Sequence, residues 1–382
     1  MLDESLLDNP ERLAGADRRG LLRGAAEAGA RVRTAVRAAT EAGLADLHPD
    51  GRPRSVLIAG PGTAAVGVAD LLAVLAGTAA PVLRLAPTGV AHAAGALRWT
   101  LPGWAGPVDL LLLVTTDGTE PGLANLAETG YRRGATVVAV APPRSPLGEA
   151  VAAAHGLLVP LARAPHHDPD QPYDETASAA GPGALWALLV PLLVLLDKVG
   201  LLTATPDLLH KVADRLDHTA ERCGPAIATY SNPAKTLAVE LADSLPLIWT
   251  EGHGAGAAGR RFAATLAELS GRPALAAELP EALPAHGYLL AGDLAAGADP
   301  DDFFRDRVDE PQALRARVVL LRDRPTGGLS AAPAARELAH GHDTAVSELE
   351  PEEGGELEQL AELLAVTDFA TAYLALASGG RT

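Results

Sequence analysis

The sequence has a single cysteine, few aromatic residues and too few cations to balance its acids. Because Cys223 is the only cysteine, an intramolecular disulfide is excluded, and we expect the protein in a reducing cytoplasm. Aromatic residues make up 3% of the chain, and 31 Lys and Arg face 48 Asp and Glu, which gives a net charge of −17. Nucleic acids and anionic membranes are bound through compensating cationic charge, so we expect neither as a partner.

Long hydrophobic runs are also scarce. The start of the chain, MLDESLLDNPERL, is acidic and lacks the apolar run of a cleavable signal. The best candidate for a membrane segment, residues 183–196, is too short to span a bilayer and contains Pro191. We therefore expect a soluble chain in which this stretch is a buried helix at a domain or subunit interface.

What the sequence does contain is a regular alternation of strand-length apolar runs with Ala-rich segments of helical length. Runs that are apolar throughout are typical of strands buried on both faces, and helices between them imply right-handed crossovers. The pattern predicts a doubly wound parallel sheet of five strands, at residues 55–60, 81–86, 109–115, 136–141 and 156–161.

A second alternation follows a Pro-rich segment and three predicted helices at residues 184–202, 206–223 and 233–244. Its predicted strands are at residues 246–251, 274–279, 288–291, 317–322 and 344–349, and a last helix is predicted at 355–377. A chain of 382 residues suits two domains. We predict N-terminal helices in 1–49, a first domain in 50–165, a loop and linking helices in 166–221, a second domain in 222–350 and a C-terminal helix in 351–382.

Two Gly-rich turns have the spacing of phosphate-binding loops. Residues 60–65 have the form GxGxxA and residues 254–259 the form GxGxxG. Glu278 lies about twenty residues further on, where a ribose-binding acid would sit in a dinucleotide fold. Gly and Ala are abundant enough for chance matches, however, and the corresponding position of the first domain holds Arg84 or Ala86. A dinucleotide-binding oxidoreductase therefore stays an alternative, and we expect no tight binding of NAD or FAD.

Two histidine-rich clusters invite comparison with metal sites. They are His166-His167-Asp168 and the group His340, His342 and Asp343. Neither includes a cysteine or a helical pair of ligands at positions i and i+4, so we predict no metal site.

Short motifs in the second half carry the most specific signal. They are Asn232-Pro-Ala-Lys235, Pro246-Leu-Ile-Trp249, Arg261, Glu268, Pro280-Glu281 and the run Asp368-Phe-Ala-Thr-Ala-Tyr-Leu-Ala-Leu376. In this order they resemble the second domain of the bifunctional phosphoglucose/phosphomannose isomerases, which are built from tandem SIS (sugar isomerase) domains. The resemblance implies an α/β fold of two tandem flavodoxin-like SIS domains, each with a five-stranded parallel sheet flanked by helices. It also implies a homodimer without a cofactor, with sites near the domain and subunit junction.

The resemblance further implies roles for individual residues. Glu268 would take the proton from C2 of a sugar phosphate, and His286, predicted in a strand-end loop, would be its acid/base partner. Substrate contacts would come from Gly60, Gly62, Thr63, Thr115, Thr116, Gly118, Thr119, Arg261 and Glu281. Our first hypothesis is therefore a sugar-phosphate aldose–ketose isomerase of the phosphoglucose/phosphomannose isomerase type.

The loop at residues 115–120 favours a second hypothesis. The family's phosphate loop reads Ser-x-Ser-Gly-x-Thr, whereas this chain has Thr-Thr-Asp-Gly-Thr-Glu. In the usual loop shape, main-chain N–H groups would point at the ligand, while Asp117 and Glu120 would oppose an anion. This arrangement suits a non-catalytic SIS protein that binds a sugar or nucleotide-sugar as a sensor or partner subunit. In that case Glu268 would be an ordinary surface carboxylate and His286 an ordinary loop histidine.

Overall fold

The computed structural model describes residues 2–49, 51–89, 95–161, 181–291, 315–323 and 329–378. Contacts divide the chain into two compact units. Arg19–His218 form one, called here the first-sheet unit, and Met1–Arg18 with Thr219–Thr382 form the second-sheet unit. Most of the predicted Pro-rich loop, including His166-His167-Asp168, lies outside the described residues.

The described strands form two parallel sheets. The first sheet has the order β2-β1-β3-β4-β5 and the second the order β7-β6-β8-β9. The strands of the first sheet are β1 Ser55–Ala59, β2 Val82–Arg84, β3 Asp109–Val114, β4 Thr136–Ala141 and β5 Leu157–Pro160. Those of the second sheet are β6 Ser244–Glu251, β7 Leu275–Glu278, β8 Arg315–Arg322 and β9 Val346–Leu349.

Helices precede, connect and follow these strands. In chain order they are α1 Glu4–Leu7, α2 Pro10–Ala16, α3 Leu21–Ala26, α4 Ala28–Glu41, α5 Gly62–Ala76, α6 Pro121–Arg132, α7 Pro146–Ala153, α8 Ala184–Lys198, α9 Pro206–Cys223, α10 Pro233–Leu241, α11 His253–Ser270, α12 Ala282–Ala291, α13 Ala332–Gly341 and α14 Glu356–Ala377. The border between the two units falls within α9.

The first sheet is stabilised by burial on both faces, as its sequence predicts. Every residue of β1 and β3 is buried. Leu57, Leu111 and Val137 point to one face, where they pack with Leu123 of α6 and Leu147 of α7. Burial of each side chain of this size contributes about 1.5–3 kcal/mol to the stability of the fold. The buried strands therefore hold the loops at their carboxyl ends in place.

The second sheet separates two groups of helices. Leu247 and Trp249 of β6 pack with Ala282 of α12 and with residues of α13. On the opposite face, a side chain at Gly259 of α11 would place its Cβ 2.5 Å from Thr250 Cγ2. Consecutive residues of β6 thus meet helices on opposite sides, because side chains alternate across a strand.

The predicted fold class is confirmed: the chain is α/β, with two parallel sheets flanked by helices. The prediction of five strands in the second sheet is wrong for the described residues, where that sheet has four. The predicted strand at residues 288–291 is the end of α12 instead. Ala282, His286 and Leu290 are the buried positions of α12, a spacing of four that one face of a helix shows.

Two apolar helices, α8 and α14, lie inside the protein. The predicted buried helix at residues 183–196 is α8, in which eleven residues including Pro191 are buried. Among the described residues, α14 alone is long and apolar enough to cross a membrane by length and composition, and 94% of that window is buried. Such burial is typical of the core helix of a globular unit.

Candidate functional site

The first sheet has a topological switch point between β1 and β3. From β1 the chain passes through α5 to β2 on one side, whereas β3, β4 and β5 continue on the other. In open parallel sheets, ligands bind at the carboxyl ends of the strands where the strand order reverses. The turn after β1 and the loop after β3 meet there, and they contain the predicted residues Gly60, Gly62, Thr63, Thr115, Thr116, Gly118 and Thr119.

The turn after β1 depends on glycine. A side chain at Gly60 would place its Cβ 2.2 Å from the carbonyl oxygen of Val114, so only glycine lets the turn lie this close to the end of β3. Gly62 has a φ of +76°, which favours glycine as well. Thr63 follows in the first turn of α5, whose N-terminus has no side-chain cap. The turn therefore brings the start of α5 to the switch point.

The loop after β3 bonds to itself. Oγ1 of the buried Thr115 accepts the N–H of Gly118 at 3.1 Å. Oδ1 of Asp117 accepts the Thr115 hydroxyl and the Thr119 N–H, each at 3.0 Å. The expectation that these main-chain N–H groups point at a ligand is therefore wrong for Gly118 and Thr119, because Thr115 and Asp117 accept their hydrogen bonds. The Asp117 carboxylate is therefore more than the repulsive charge expected from the sequence, since Asp side chains commonly accept the N–H two residues on.

The remaining polar groups of this loop leave some acceptor capacity. Thr116 is half-buried and Thr119 is exposed. Glu120 is the N-cap residue of α6, and its Oε1 atom is buried without a hydrogen-bond partner among the described residues. Gly118, with a φ of +69°, packs so closely on Ser145 that a Cβ would lie 2.3 Å from Ser145 Oγ. Because Oε1 of Glu120 is buried, the carboxylate that a ligand hydroxyl can reach in this loop is that of the exposed Asp117.

The second sheet has an equivalent switch point between β6 and β8, where the chain's own carboxylate occupies the helix N-terminus. Oδ2 of Asp323, directly after β8, accepts the N–H of Ala255 in α11 at 2.9 Å. Burial raises the pKa of Asp323, and its Oδ1 atom is buried without a partner among the described residues. Asp323 is not among the site residues predicted from the sequence, although an acid directly after a buried strand is a visible signal.

The Gly-rich run at residues 254–259 is helical. It forms the first turns of α11 and does not form the loop that would precede the helix in a dinucleotide fold. Side chains at Gly254 and Gly256 would place their Cβ atoms 2.7 Å from carboxylate oxygens of Asp323 and Glu278. These glycines thus make room for two acids, and Glu278 pairs with Arg260. The absence of tight NAD or FAD binding stays a prediction.

The predicted catalytic residues Glu268 and His286 lie on opposite faces of the second sheet. Glu268 is an exposed residue of α11, which packs on the Thr250 side of β6. His286 is buried in α12, and its Nδ1 accepts the indole N–H of Trp249 at 2.9 Å. Burial lowers the pKa of His286. The second-sheet unit alone therefore does not bring the two side chains together, and the prediction of a loop around His286 is wrong.

Glu268 is also far along its helix from the carboxyl ends of the strands. It lies fifteen residues after His253, the first residue of α11, and this separation corresponds to about 22 Å. Glu281 is exposed, one residue before α12 begins. The four predicted site residues of this unit (Arg261, Glu268, Glu281 and His286) thus do not form one cluster around the switch point of the second sheet.

Several residues that carry the family resemblance instead connect helices. Arg261 forms a buried ion pair with Asp368 of α14, and their side chains are 4% and 6% exposed. Asn232 caps α10 by accepting the N–H groups of Ala234 and Lys235. The fully buried Lys235 donates to the carbonyl oxygens of Pro225 and Ile227 at 2.9 and 2.7 Å. Through these contacts, the motif residues stabilise the fold of the second-sheet unit.

No group of three His, Cys, Asp or Glu side chains that could hold a metal ion occurs in the described part of the chain. His340, His342 and Asp343 lie at the end of α13 and directly after it, and they form no such group. The other cluster, His166-His167-Asp168, lies outside the described residues.

Comparison with solved structures shows the fold. A glucose-6-phosphate isomerase like protein from Thermus thermophilus is 19% identical, with a TM-score of 0.52 over 98% of this chain and 94% of its own. A proposed phosphosugar isomerase from Silicibacter pomeroyi is 17% identical, with a TM-score of 0.58 over 94% and 97%. Tagatose-6-phosphate ketose/aldose isomerase from Escherichia coli is 14% identical, with a TM-score of 0.56 over 94% and 92%.

Sequence comparison gives a more specific result for the second half. No curated protein sequence matches the chain. Residues 230–380, however, match the family model of the bacterial phospho-glucose isomerase C-terminal SIS domain. This range includes every motif that carries the predicted resemblance, from Asn232 to Leu376. The resemblance is thus confirmed for the second half, where residues 230–380 are similar to the bacterial phospho-glucose isomerase C-terminal SIS domain.

Proposed function

We propose that this chain is a sugar-phosphate isomerase-like protein that interconverts an aldose phosphate and a ketose phosphate. The observation that carries the proposal is the match of residues 230–380 to an isomerase domain. The similar fold of proteins described as phosphosugar isomerases supports the same substrate class. Glucose-6-phosphate and mannose-6-phosphate are the substrates to test first, because the resembling family acts on both.

The reaction requires one base that serves two neighbouring carbons. A carboxylate removes the C2 proton of the open-chain aldose, the C–H electron pair forms the C1–C2 double bond, and the aldehyde oxygen takes up a proton to give an enediol. The C2 hydroxyl then loses its proton, and C1 receives one from the carboxylic acid, which leaves the ketose. Glu268 is the proposed base, and its exposure leaves the carboxylate accessible to a substrate.

The separation of Glu268 and His286 limits how the site is assembled. Because the second sheet lies between them, one second-sheet unit cannot supply both groups to one sugar. The predicted homodimer offers a way to complete the site, since a second copy could bring the missing acid/base group to Glu268. The homodimer is therefore part of this proposal. The cytoplasmic location is also a proposal.

The loop after β3 supports a second candidate, a SIS protein that binds a sugar without converting it. Asp117 accepts the hydrogen bond of the Thr119 N–H, a group that would otherwise face an anion. The carboxylate of Asp117 is exposed and can accept further hydrogen bonds. Sugar hydroxyls are donors, whereas a phosphate dianion is not, so this loop suits a neutral part of a sugar better than a phosphate group.

A coupled assay with both sugar phosphates separates the two candidates. The proposed isomerase converts at least one of them, loses activity on Glu268→Gln, and keeps it on Glu337→Gln, which changes an exposed glutamate of α13. If the unmodified protein binds a sugar in a calorimetric titration but turns over neither substrate, the non-catalytic candidate is correct. Turnover that survives Glu268→Gln would assign the base to another residue.

A further inference from the structure

A cavity of about 650 Å³ lies at the amino ends of the strands of the first sheet. It is lined by the first residues of β3, β4 and β5, by the end of α8 and by residues between 47 and 53, all within the first-sheet unit. The switch point lies at the other end of the same strands, and the six residues of β3 span about 20 Å. The volume is within the range of about 300–1,000 Å³ that binding pockets have. The cavity is thus a candidate ligand site separate from the switch point.

The walls of this cavity are mostly apolar and partly open to solvent. Leu47, Val108 and Tyr131 line it and are 36%, 57% and 48% exposed. Leu110 and Val137 also line it and are buried. Large apolar side chains that remain in contact with water gain free energy when a ligand covers them. The cavity therefore suits a ligand with an apolar body.

His155, in the wall of the cavity, has a left-handed backbone with a φ of +51°. It follows the C-cap residue of α7, where the N–H of Gly156 bonds to the carbonyl oxygen of Val151 and the N–H of His155 to that of Ala152. These two bonds form a Schellman motif, in which glycine usually takes the position of His155 because a side chain there is strained. Residues held in such conformations cluster at ligand sites. The strain at His155 therefore points to a function of its ring.

The ring of His155 packs beside that of Tyr131. Their centroids are 5.7 Å apart, and their planes meet at 55°. Both residues line the cavity and are exposed. Aromatic rings prefer tilted or offset contacts with one another, so an exposed pair of this kind can hold the flat body of an aromatic ligand.

The described lining of the cavity contains one cation without a partner, Arg52. Among the described residues it forms no hydrogen bond or ion pair. Its guanidinium lies beside Gly200, where a Cβ would be 3.2 Å from Nε. The carboxylate of the lining residue Asp109 is fully buried and already accepts hydrogen bonds from Arg54 at 2.6 Å and Ser55 at 2.8 Å. The guanidinium of Arg52 is therefore available to an anionic group of a ligand.

We propose that this cavity binds a small aromatic carboxylate. The aromatic body lies against the rings of Tyr131 and His155 and covers the apolar wall, while the carboxylate pairs with Arg52. A guanidinium suits this group, because its planar fork can donate to both carboxylate oxygens. This binding site is separate from the proposed sugar site and does not depend on isomerase activity.

Calorimetric titration of the full chain with 2-naphthoate tests the proposal. The amide 2-naphthamide keeps the aromatic body without the charge, and it should bind about fivefold more weakly, as expected for one ion pair lost in contact with water. The cation 2-naphthylmethylammonium reverses the charge and should bind more weakly still. Decahydro-2-naphthoate keeps the carboxylate but has no aromatic face, and it should bind at least about twofold more weakly than 2-naphthoate.

The amide and the cation also test whether a nearby carboxylate cancels the charge of Arg52. Asp46 is exposed, directly before the lining residue Leu47, and Asp50 lies outside the described residues. If either carboxylate neutralised Arg52, the amide or the cation would bind at least as tightly as 2-naphthoate.

Arg52→Met and Arg37→Met are matched variants, because Arg37 is an exposed arginine of α4 that does not line the cavity. Arg52→Met should weaken 2-naphthoate binding about fivefold and leave the affinity for 2-naphthamide unchanged. The difference between the two ligands should thus disappear, which measures the pairing of the carboxylate with Arg52. Arg37→Met should leave both affinities unchanged.

His155→Gly separates a role in binding from a role in the fold. Glycine removes the strain of the left-handed backbone, so the midpoint of thermal unfolding should not fall below that of the wild type. The affinities for 2-naphthoate and 2-naphthamide should both fall at least about twofold, because the ligand loses one ring of the pair. A histidine kept for the fold alone would show the reverse, a lower midpoint with unchanged affinities.

Five results would overturn the proposal. One is the absence of 2-naphthoate binding, and another is binding of the amide or the cation at least as tight as that of 2-naphthoate. A third is unchanged 2-naphthoate affinity in Arg52→Met or His155→Gly. Displacement of 2-naphthoate by glucose-6-phosphate would assign the cavity to the sugar phosphate. A fall in the sedimentation coefficient on saturation with 2-naphthoate would assign the cavity to a contact with a second copy of this chain.

Discussion

Trp249 and His286 are bonded to each other inside the second-sheet unit, where the indole N–H donates to Nδ1 of the imidazole at 2.9 Å. An accepting Nδ1 places the proton of the neutral ring on Nε2. Protonation of Nδ1 would abolish this hydrogen bond and bury a charge, and burial already lowers the pKa of His286. This contact connects β6 to α12, so His286 has a structural role regardless of whether it also serves in catalysis.

We predict that His286 makes the protein less stable in mild acid. The unfolded chain takes up a proton near the ordinary histidine pKa of 6.5, whereas the folded chain resists protonation until a lower pH. The free energy of unfolding should therefore fall as the pH drops through 6.5 towards the lowered folded value. Denaturant unfolding at a series of pH values measures this slope.

The variant for this test is His286→Gln, since glutamine can still accept the indole N–H but does not titrate. It should be less stable than the wild type at neutral pH and should show a shallower loss of stability in acid. The control His210→Gln, at an exposed position of α9, should keep the wild-type slope. Equal slopes for the wild type and His286→Gln would contradict the prediction.

A second prediction concerns the ion pair between Arg261 and Asp368. Both side chains are buried, and burial raises the pKa of Asp368 although Arg261 opposes that rise. Arg261→Met or Asp368→Leu alone should cost about 3–5 kcal/mol of unfolding free energy, because each leaves one buried charge without its partner. The double variant should recover most of this loss in urea unfolding. If the single variants are as stable as the wild type but bind sugar phosphate poorly, Arg261 is a substrate-binding residue instead.

A third prediction concerns Lys235, which belongs to the motif that resembles the isomerases. Its ammonium group donates to two carbonyl oxygens and lies 5.4 Å from the centre of the Tyr373 ring. Lys235→Met should reduce the unfolding free energy by about 1–3 kcal/mol, because the carbonyl groups of Pro225 and Ile227 lose their donor. Sugar-phosphate affinity of the folded variant should be unchanged. A loss of affinity without a loss of stability would mean that Lys235 contacts the ligand.

The sequence predicts the first sheet closely and the candidate site only in part. β3 and β4 match their predicted runs to within one residue, because strands buried on both faces are apolar throughout. The segment at residues 288–291 is too short and apolar to distinguish strand from helix, and only the spacing of Ala282, His286 and Leu290 could have indicated α12.

The arrangement of the site residues depended on information that the sequence does not contain. Glu268 and His286 are eighteen residues apart in the chain, yet the sheet separates them because α11 and α12 pack on opposite faces of β6. Which face each helix covers follows from the strand order, and local periodicity does not determine that order. The hydrogen bonds of Asp117, by contrast, are local and follow a common turn preference that was visible in the sequence.

A fourth prediction follows from the loop after β3, where the charge of Asp117 and its hydrogen bonds can be changed separately. Asp117→Asn removes the negative charge but keeps an oxygen that can accept from the Thr115 hydroxyl and the Thr119 N–H. If phosphate binds at this loop, the variant should bind glucose-6-phosphate about fivefold more tightly, as expected for one exposed charge removed at contact distance in water. Isothermal titration calorimetry measures this change.

The neutral sugar glucose is the matched control for this prediction, because its affinity should not respond to the charge at residue 117. The gain for glucose-6-phosphate should also shrink as salt is added, since salt screens exposed charges. Asp117→Ala provides a second control: it removes the charge together with both accepted hydrogen bonds, so its loop need not keep the wild-type shape. If Asp117→Asn binds glucose-6-phosphate no more tightly than the wild type, the phosphate group does not bind beside this loop, and the loop instead contacts a neutral part of the ligand.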